Sequence, residues 1–127
     1  MDARVDIDNE FEPDGRQRRE LARTLPWHYS IFNLTAFMDL ALIGERVRVD
    51  LWNHIPADGG GLRKGLDYLV PFATGEKSFP NPQLDEVQPA ELHLVLRRAA
   101  VGWNERRYRQ IAQQIGGGTL PMDLILP

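Results

Sequence analysis

Residues 21–46 read LARTLPWHYSIFNLTAFMDLALIGER, and the second half of this stretch decides the fold class. Ile31, Leu34, Met38, Ala41 and Leu42 recur at helical spacing. Phe37 and Leu40 widen the apolar stripe, while Asp39, Glu45 and Arg46 fall towards the other side or the end. The spacing predicts a helix from Ser30, preceded by Pro26 and Trp27 and capped by Ser30 or Asn33. Just upstream, Arg23, His28 and Tyr29 bring a cation, an imidazole and a phenol close together in the chain.

Working outward, residues 1–20 are charged, contain Pro13 and Gly15 and show no sustained apolar period, which predicts an extended or loop entry. After the first helix, VDLWNHIPADGGG (residues 49–61) breaks helical order. Leu62, Leu66, Leu69 and Val70 resume it, so a second helix is expected from Leu62 to Tyr68 or Val70, closed by Pro71. Residues 72–88, FATGEKSFPNPQLDEVQ, form a long connection. Pro89 suits the first position of a third helix, with Glu91 favourable to its dipole, Leu92, Val95, Leu96 and Ala99 as its core stripe and Gly102 as its end. Asn104 caps a fourth, with Tyr108, Ile111, Ala112 and Ile115 on one face and a glycine run at 116–118 as its stop. The expectation is one all-α domain over 1–127, with its helical part at 21–115 and a short apolar tail at 116–127. No period-2 strand is visible, and helix pairs joined by long loops suit an array of α/α hairpins better than a compact bundle.

Composition narrows the function. Fifteen Lys and Arg against eighteen Asp and Glu give a net charge of -3; without a global basic field, nucleic acid is not the expected partner. There are no cysteines, so no disulfide framework and no thiolate metal site is available. The opening MDARVDIDNEFEPDG has no apolar h-region, so the chain as written is expected to stay cytoplasmic. No run approaches the roughly 18 apolar residues of a membrane span.

The polar stretch before the first helix has a coherent chemistry. A cation can neutralise a carboxylate and so acidify the carbon beside it, and a Tyr or His can then take or give the proton. Arg, His and Tyr fall this close together by chance in many sequences, and on spacing alone the stretch reads as a solvated helix entrance. His54 and His93 lack metal-ligand spacing and read as surface histidines. Gly59, Gly60 and Gly61 before Arg63 and Lys64 could hold an anion at a helix start, but without the phosphate-loop pattern they read as a flexible loop. The basic and aromatic run RRAAVGWNERRYR (residues 97–109) reads as solvated helix faces, with Glu91 and Glu105 as partners for some of its arginines.

The ordered motifs carry a resemblance. E-P-D-G at 12–15, L-A-R-T at 21–24, Y-S-x-x-N-L at 29–34, V-D-L-W at 49–52, L-R-K-x-L-D-Y-L at 62–69 and G-E-K at 75–77 resemble the C-terminal part of the alginate lyase domain family. The similar segment covers about residues 10–115. The resemblance implies an incomplete (α/α) toroid whose cleft binds an acidic polysaccharide and cleaves it by β-elimination, with no metal or organic cofactor. It implies Arg23 as carboxylate clamp and Tyr29 as proton donor or acceptor. His28 sits beside Tyr29 outside the family's His position and is the remaining catalytic candidate, with Trp27, Asn33 and Arg63 as candidate substrate-binding residues. The family's Asn-Asn-His segment lies upstream of E-P-D-G and has no counterpart in these residues. A truncated domain is therefore expected, with a missing N-terminal half or self-association through exposed apolar helix faces to cover it. Export to the periplasm or beyond is what the family implies. The competing expectation is a non-catalytic helical remnant that binds carbohydrate or a partner helix.

Overall fold

The computed structural model describes residues 3–21, 26–57, 59–80 and 87–116, with the side chains of residues 18 and 21 left aside. They form six α-helices and one 3₁₀ turn: α1 (Ala3–Glu10), α2 (Arg18–Leu21), α3 (Pro26–Arg46), α4 (Leu62–Thr74), the 3₁₀ turn Pro89–Leu92, α5 (His93–Gly102) and α6 (Arg106–Gly116). Among the described residues the all-α reading holds: extended pairing is limited to one isolated bridge, Phe11 with Gln17, and no helix is long and apolar enough to cross a membrane.

The entry is loop and extended bridge only over residues 11–17; helices flank it. The breakers Pro13 and Gly15 lie beyond Glu10, so α1 forms ahead of them, and one fully buried residue, Ile7, anchors it. A single anchor gives no period to read. The E-P-D-G motif then makes a tight hairpin. Glu12 N–H donates to Arg16 O (2.9 Å), Gly15 N–H to Glu12 O (2.8 Å) and Arg16 N–H to Asp14 Oδ1 (3.0 Å). Gly15, at φ 93°, seats this turn against the backbone of α4.

Helix α3 begins at Pro26, four residues earlier than the apolar period suggests, because proline is pre-organised for a first helical position and its missing N–H costs nothing there. Ile31, Leu34, Met38 and Ala41 are buried as expected, together with Trp27 and Phe37. Leu40 and Leu42 are not: they join Phe32, Ile43 and Val47 among the exposed hydrophobics. Helix α4 runs through Pro71 to Thr74 and ends at Gly75 in the left-handed region (φ 84°). The preference against helix before proline yields here to the burial of Leu66, Leu69, Val70 and Ala73 on one face. The third and fourth expected helices are present as α5 and α6. Asn104 does not cap α6; it takes φ 51° in the turn between the two helices, a conformation asparagine tolerates.

Helices α5 and α6 pack as a hairpin, α3 lies against α4 and α5, and α4 against α6. Trp27 at the start of α3 meets Phe79 beyond the end of α4 (ring centroids 5.6 Å apart). At the other end, Trp52 beyond α3 meets Trp103 beyond α5 (5.1 Å) and donates from Nε1 to Glu45 Oε1 at 2.9 Å. Helices α3 and α4 therefore run antiparallel, with an aromatic pair at each end.

Two histidines depart from the surface reading. His54 is half-buried and bonds Asp8 Oδ1 at 2.7 Å, tying the loop after α3 to α1. His93 is buried at 6% exposure, its Nδ1 lacks a partner among the described residues, and Gly116 lies so close that a Cβ there would be 2.2 Å from the imidazole Cδ2. Burial, with the Arg97 charge adding to it, lowers the pKa of His93 below its ordinary value. The unfolded chain protonates this histidine near pH 6.5, the folded chain only at lower pH. Its contribution to stability is thus complete above that range and is lost as pH falls towards the folded value. Urea unfolding followed from pH 8 to pH 5 is expected to show a steeper fall for the native sequence than for His93→Gln, and parallel curves would refute this.

Candidate functional site

The first two turns of α3 gather four of the expected residues. His28 and Tyr29 project away from the core, with their rings edge to face at 5.4 Å and 78°. His28 Nδ1 bonds Glu91 Oε2 of the 3₁₀ turn at 3.0 Å. In the tautomer whose Nδ1–H donates to Glu91, Nε2 is the nitrogen left as acceptor towards solvent or a ligand. Tyr29 is half-buried.

One turn on, Asn33 shares the face of Tyr29. Its Nδ2 donates to Gln17 Oε1 at 2.9 Å, and Gln17 Nε2 donates to the Ser30 carbonyl at 3.0 Å. Gln17 is 2% exposed. The hairpin that carries it therefore acts as a bracket, using both ends of one buried amide to fix the start of α3 and the orientation of Asn33. Pattern reading missed Gln17 because a single residue after a turn has no period; the bridge to Phe11 that turns it inward is long-range information.

Trp27 differs from its expected part. Its indole is 1% exposed, packs on Phe79 and donates from Nε1 to the Gln88 carbonyl at 3.0 Å. It anchors α3 and presents no face to a sugar. Arg23 lies outside the described residues.

Arg63 is not brought to this group. It stands at the start of α4, at the Trp52–Trp103 end, and its guanidinium is engaged there. Its Nε donates to Tyr108 Oη (3.1 Å), one terminal nitrogen donates to Glu105 (3.2 Å), and its guanidinium lies over the Trp103 and Tyr108 rings. Tyr108 in turn donates to Asp67 Oδ1 at 2.7 Å, which also accepts from Arg107 at 2.9 Å. The cluster joins α4 to α6 and borders a cleft of about 240 Å³ lined by Trp52, His54, the glycine loop and Lys64. Two arginines of the basic run pair with acids of α3 and α4, Arg98 with Asp39 at 2.7 Å and Arg107 with Asp67 at 2.9 Å, while Glu91 bonds His28 and Glu105 bonds Arg63.

Burial, with the hydrogen bond to Asp67 next, pushes the Tyr108 phenol up to about 12. The unfolded chain ionises this tyrosine near pH 10, so its stabilising contribution is whole below pH 10 and is lost as pH rises towards 12. Tyr108→Phe is expected to cost about 1.5–3 kcal/mol at neutral pH, since it strands Asp67 and Arg63. It should also flatten the loss of stability above pH 10. Urea unfolding at pH 7.5 and pH 10.5 reads both, and a cost that does not shrink at the higher pH would overturn the assignment.

The family model described as alginate lyase matches residues 2–79, more than half of the chain. A crystal structure of an alginate lyase from Bacteroides ovatus superposes with a TM-score of 0.80 at 32% identity, covering 88% of this chain and 30% of that one. No curated protein matches the sequence. The chain spans less than a third of the Bacteroides enzyme's length, and its antiparallel helix hairpins are part of an α/α toroid. Over the E-P-D-G turn, the Tyr29 face of α3 and the start of α4, the chain belongs to the alginate lyase family.

Proposed function

We propose that this chain supplies the arginine and tyrosine arm of a lyase site that cleaves uronate-containing acidic polysaccharides, such as alginate or polymannuronate, by β-elimination. The observation that carries the reading is the placement of Tyr29. It stands at the N-terminal end of a long helix, on the face turned from the core, with His28 against its ring and Asn33 held one turn below. In the reaction, Arg23 neutralises the uronate carboxylate, which makes the C5 proton acidic. A base removes that proton, the electron pair becomes the C4=C5 double bond, and the C4–O glycosidic bond breaks. Tyr29 protonates the departing oxygen. His28, oriented through Nδ1 by Glu91, is the base that these residues offer. Asn33 keeps its carbonyl oxygen for a sugar hydroxyl.

A second reading, a non-catalytic helical domain that binds carbohydrate or a partner helix, draws on the apolar outer face of α3. Incubation of the purified chain with polymannuronate separates the two, because the C4=C5 product absorbs in the ultraviolet. Growth of that absorbance supports the lyase. Binding of the polymer without absorbance favours the second reading, and neither signal from a folded preparation argues against both.

A further inference from the structure

The bracket over the first turns of α3 does more than hold Asn33 in place: it decides which end of the Asn33 amide faces out. The Ser30 carbonyl can only accept, so the end of Gln17 that meets it at 3.0 Å is the NH₂ of Nε2. Gln17 Oε1 is thereby turned to Asn33. An oxygen there is met by the Asn33 NH₂, which donates from Nδ2 at 2.9 Å. Neither amide can turn round without setting two acceptors or two donors against each other. Gln17 has little freedom of its own. It is 2% exposed and bridges to Phe11, in a hairpin closed between Glu12 and Arg16 and seated on α4 at Gly15. Asn33 is half-buried, and its Oδ1 has no partner among the described residues and is not closed off from solvent.

From this geometry we infer that Gln17 is a positioning residue, acting through Asn33 to make the site read a sugar hydroxyl, and not a carboxylate, beside Tyr29. The inference rests on the uronate-polymer reading of the site and adds its polarity. A 1,4-linked uronate unit carries hydroxyls at C2 and C3 on one side of its C1–C4 axis and the carboxylate at C5 on the other. An outward amide oxygen accepts from a hydroxyl and repels a carboxylate, which has no proton to give. The unit on Asn33 therefore turns its hydroxyl side to α3 and its carboxylate away. A freely turning amide would serve either side, so Gln17 is what holds Asn33 to one facing of the ring.

The whole native chain gives the first test. In nitrogen-edited NMR spectra the Gln17 side-chain amide protons exchange with solvent at least about tenfold more slowly than those of the exposed Gln113. When a mannuronate trisaccharide is added, the Asn33 amide protons keep their shifts, because the NH₂ stays on Gln17. Gln17→Met keeps the side-chain length and removes both bonds. It and Asn33→Ala each weaken trisaccharide binding about 2- to 12-fold, the loss of one hydrogen bond; where the chain turns polymannuronate over, the effect falls on KM rather than kcat. The double variant loses no more than either single one, since the two residues act as a unit, whereas a residue 17 that merely filled space would give a separate loss that multiplies. Should Gln17→Met fail to fold, the native spectra and Asn33→Ala, a change at a half-buried residue, decide alone. Rapid exchange at Gln17, native binding by either single variant, losses that multiply, or a downfield shift of an Asn33 amide proton on binding would overturn the inference. A native chain that does not bind the trisaccharide overturns the uronate reading and this inference together, while one that binds without cleaving refutes the lyase alone and leaves the polarity of Asn33 standing.

Discussion

Gly15→Ala is expected to lower the free energy of unfolding by about 3–5 kcal/mol, a large share of the stability of a domain this size. Two costs combine. Gly15 holds φ 93°, a conformation that a side chain rarely adopts. An alanine Cβ would also lie 2.0 Å from the Lys64 carbonyl oxygen and 3.0 Å from Tyr68 Cβ. The first obstacle is backbone, and α4 cannot yield because Leu62, Leu66 and Leu69 on it are buried. The turn must lift instead, which draws Gln17 out of its bracket under Ser30 and Asn33. Asp14→Ala, in the same turn, removes an exposed bond to Arg16 N–H and should cost less than about 1 kcal/mol. Urea denaturation of both variants decides the matter; equal midpoints would show that the turn is not held against α4.

The contrast between these neighbours shows which parts of the molecule a sequence discloses. Periodic burial is local and repeated, so the stripes of α3, α5 and α6 are readable: Leu34, Met38, Val95, Leu96, Tyr108 and Ala112 are all buried. Where one residue alone does the anchoring, nothing repeats. Ile7 holds α1, Gln17 holds the start of α3 and His93 fills the space under Gly116, and each is defined by partners distant in the chain. Breakers mislead in the same way. Pro71 weakens a helix locally, but the apolar face of α4 continues past it and burial outweighs the lost hydrogen bond.

The candidate site divides along the same line. Tyr29 and Arg23 are marked by ordered motifs, and the family match over residues 2–79 rests on the stretch that contains them. Arg63 belongs to an equally clear motif, L-R-K-x-L-D-Y-L, yet its guanidinium serves Tyr108 and Glu105 at the far end of the hairpin. A motif fixes which residues recur together in a family, whereas the antiparallel course of α3 and α4 fixes which of them can share a substrate. Trp27 makes the same point: next to His28 in sequence, it turns inward while His28 turns outward, since one residue on a helix is a rotation of about 100°.

On the proposed lyase reading, Tyr29→Phe is expected to reduce kcat by a factor of about 10²–10⁴, the range for loss of a positioned proton donor, with KM changed less than about threefold. The substitution removes one oxygen and keeps the ring, so the edge-to-face contact with His28 survives and the free energy of unfolding should fall by no more than one hydrogen bond, about 0.5–1.5 kcal/mol. A purely structural tyrosine would give the opposite pattern, with stability lost and the rate per folded molecule kept. His28→Gln completes the comparison. If His28 is the base, its loss removes most of the rate with KM little changed, as loss of the Tyr29 phenol does. A Tyr29→Phe chain as fast as the native one would remove the phenol from the proposed mechanism. Loss of rate in Tyr29→Phe with none in His28→Gln would keep the tyrosine and assign the base to a group other than His28, leaving Glu91 with an orienting bond that catalysis does not use.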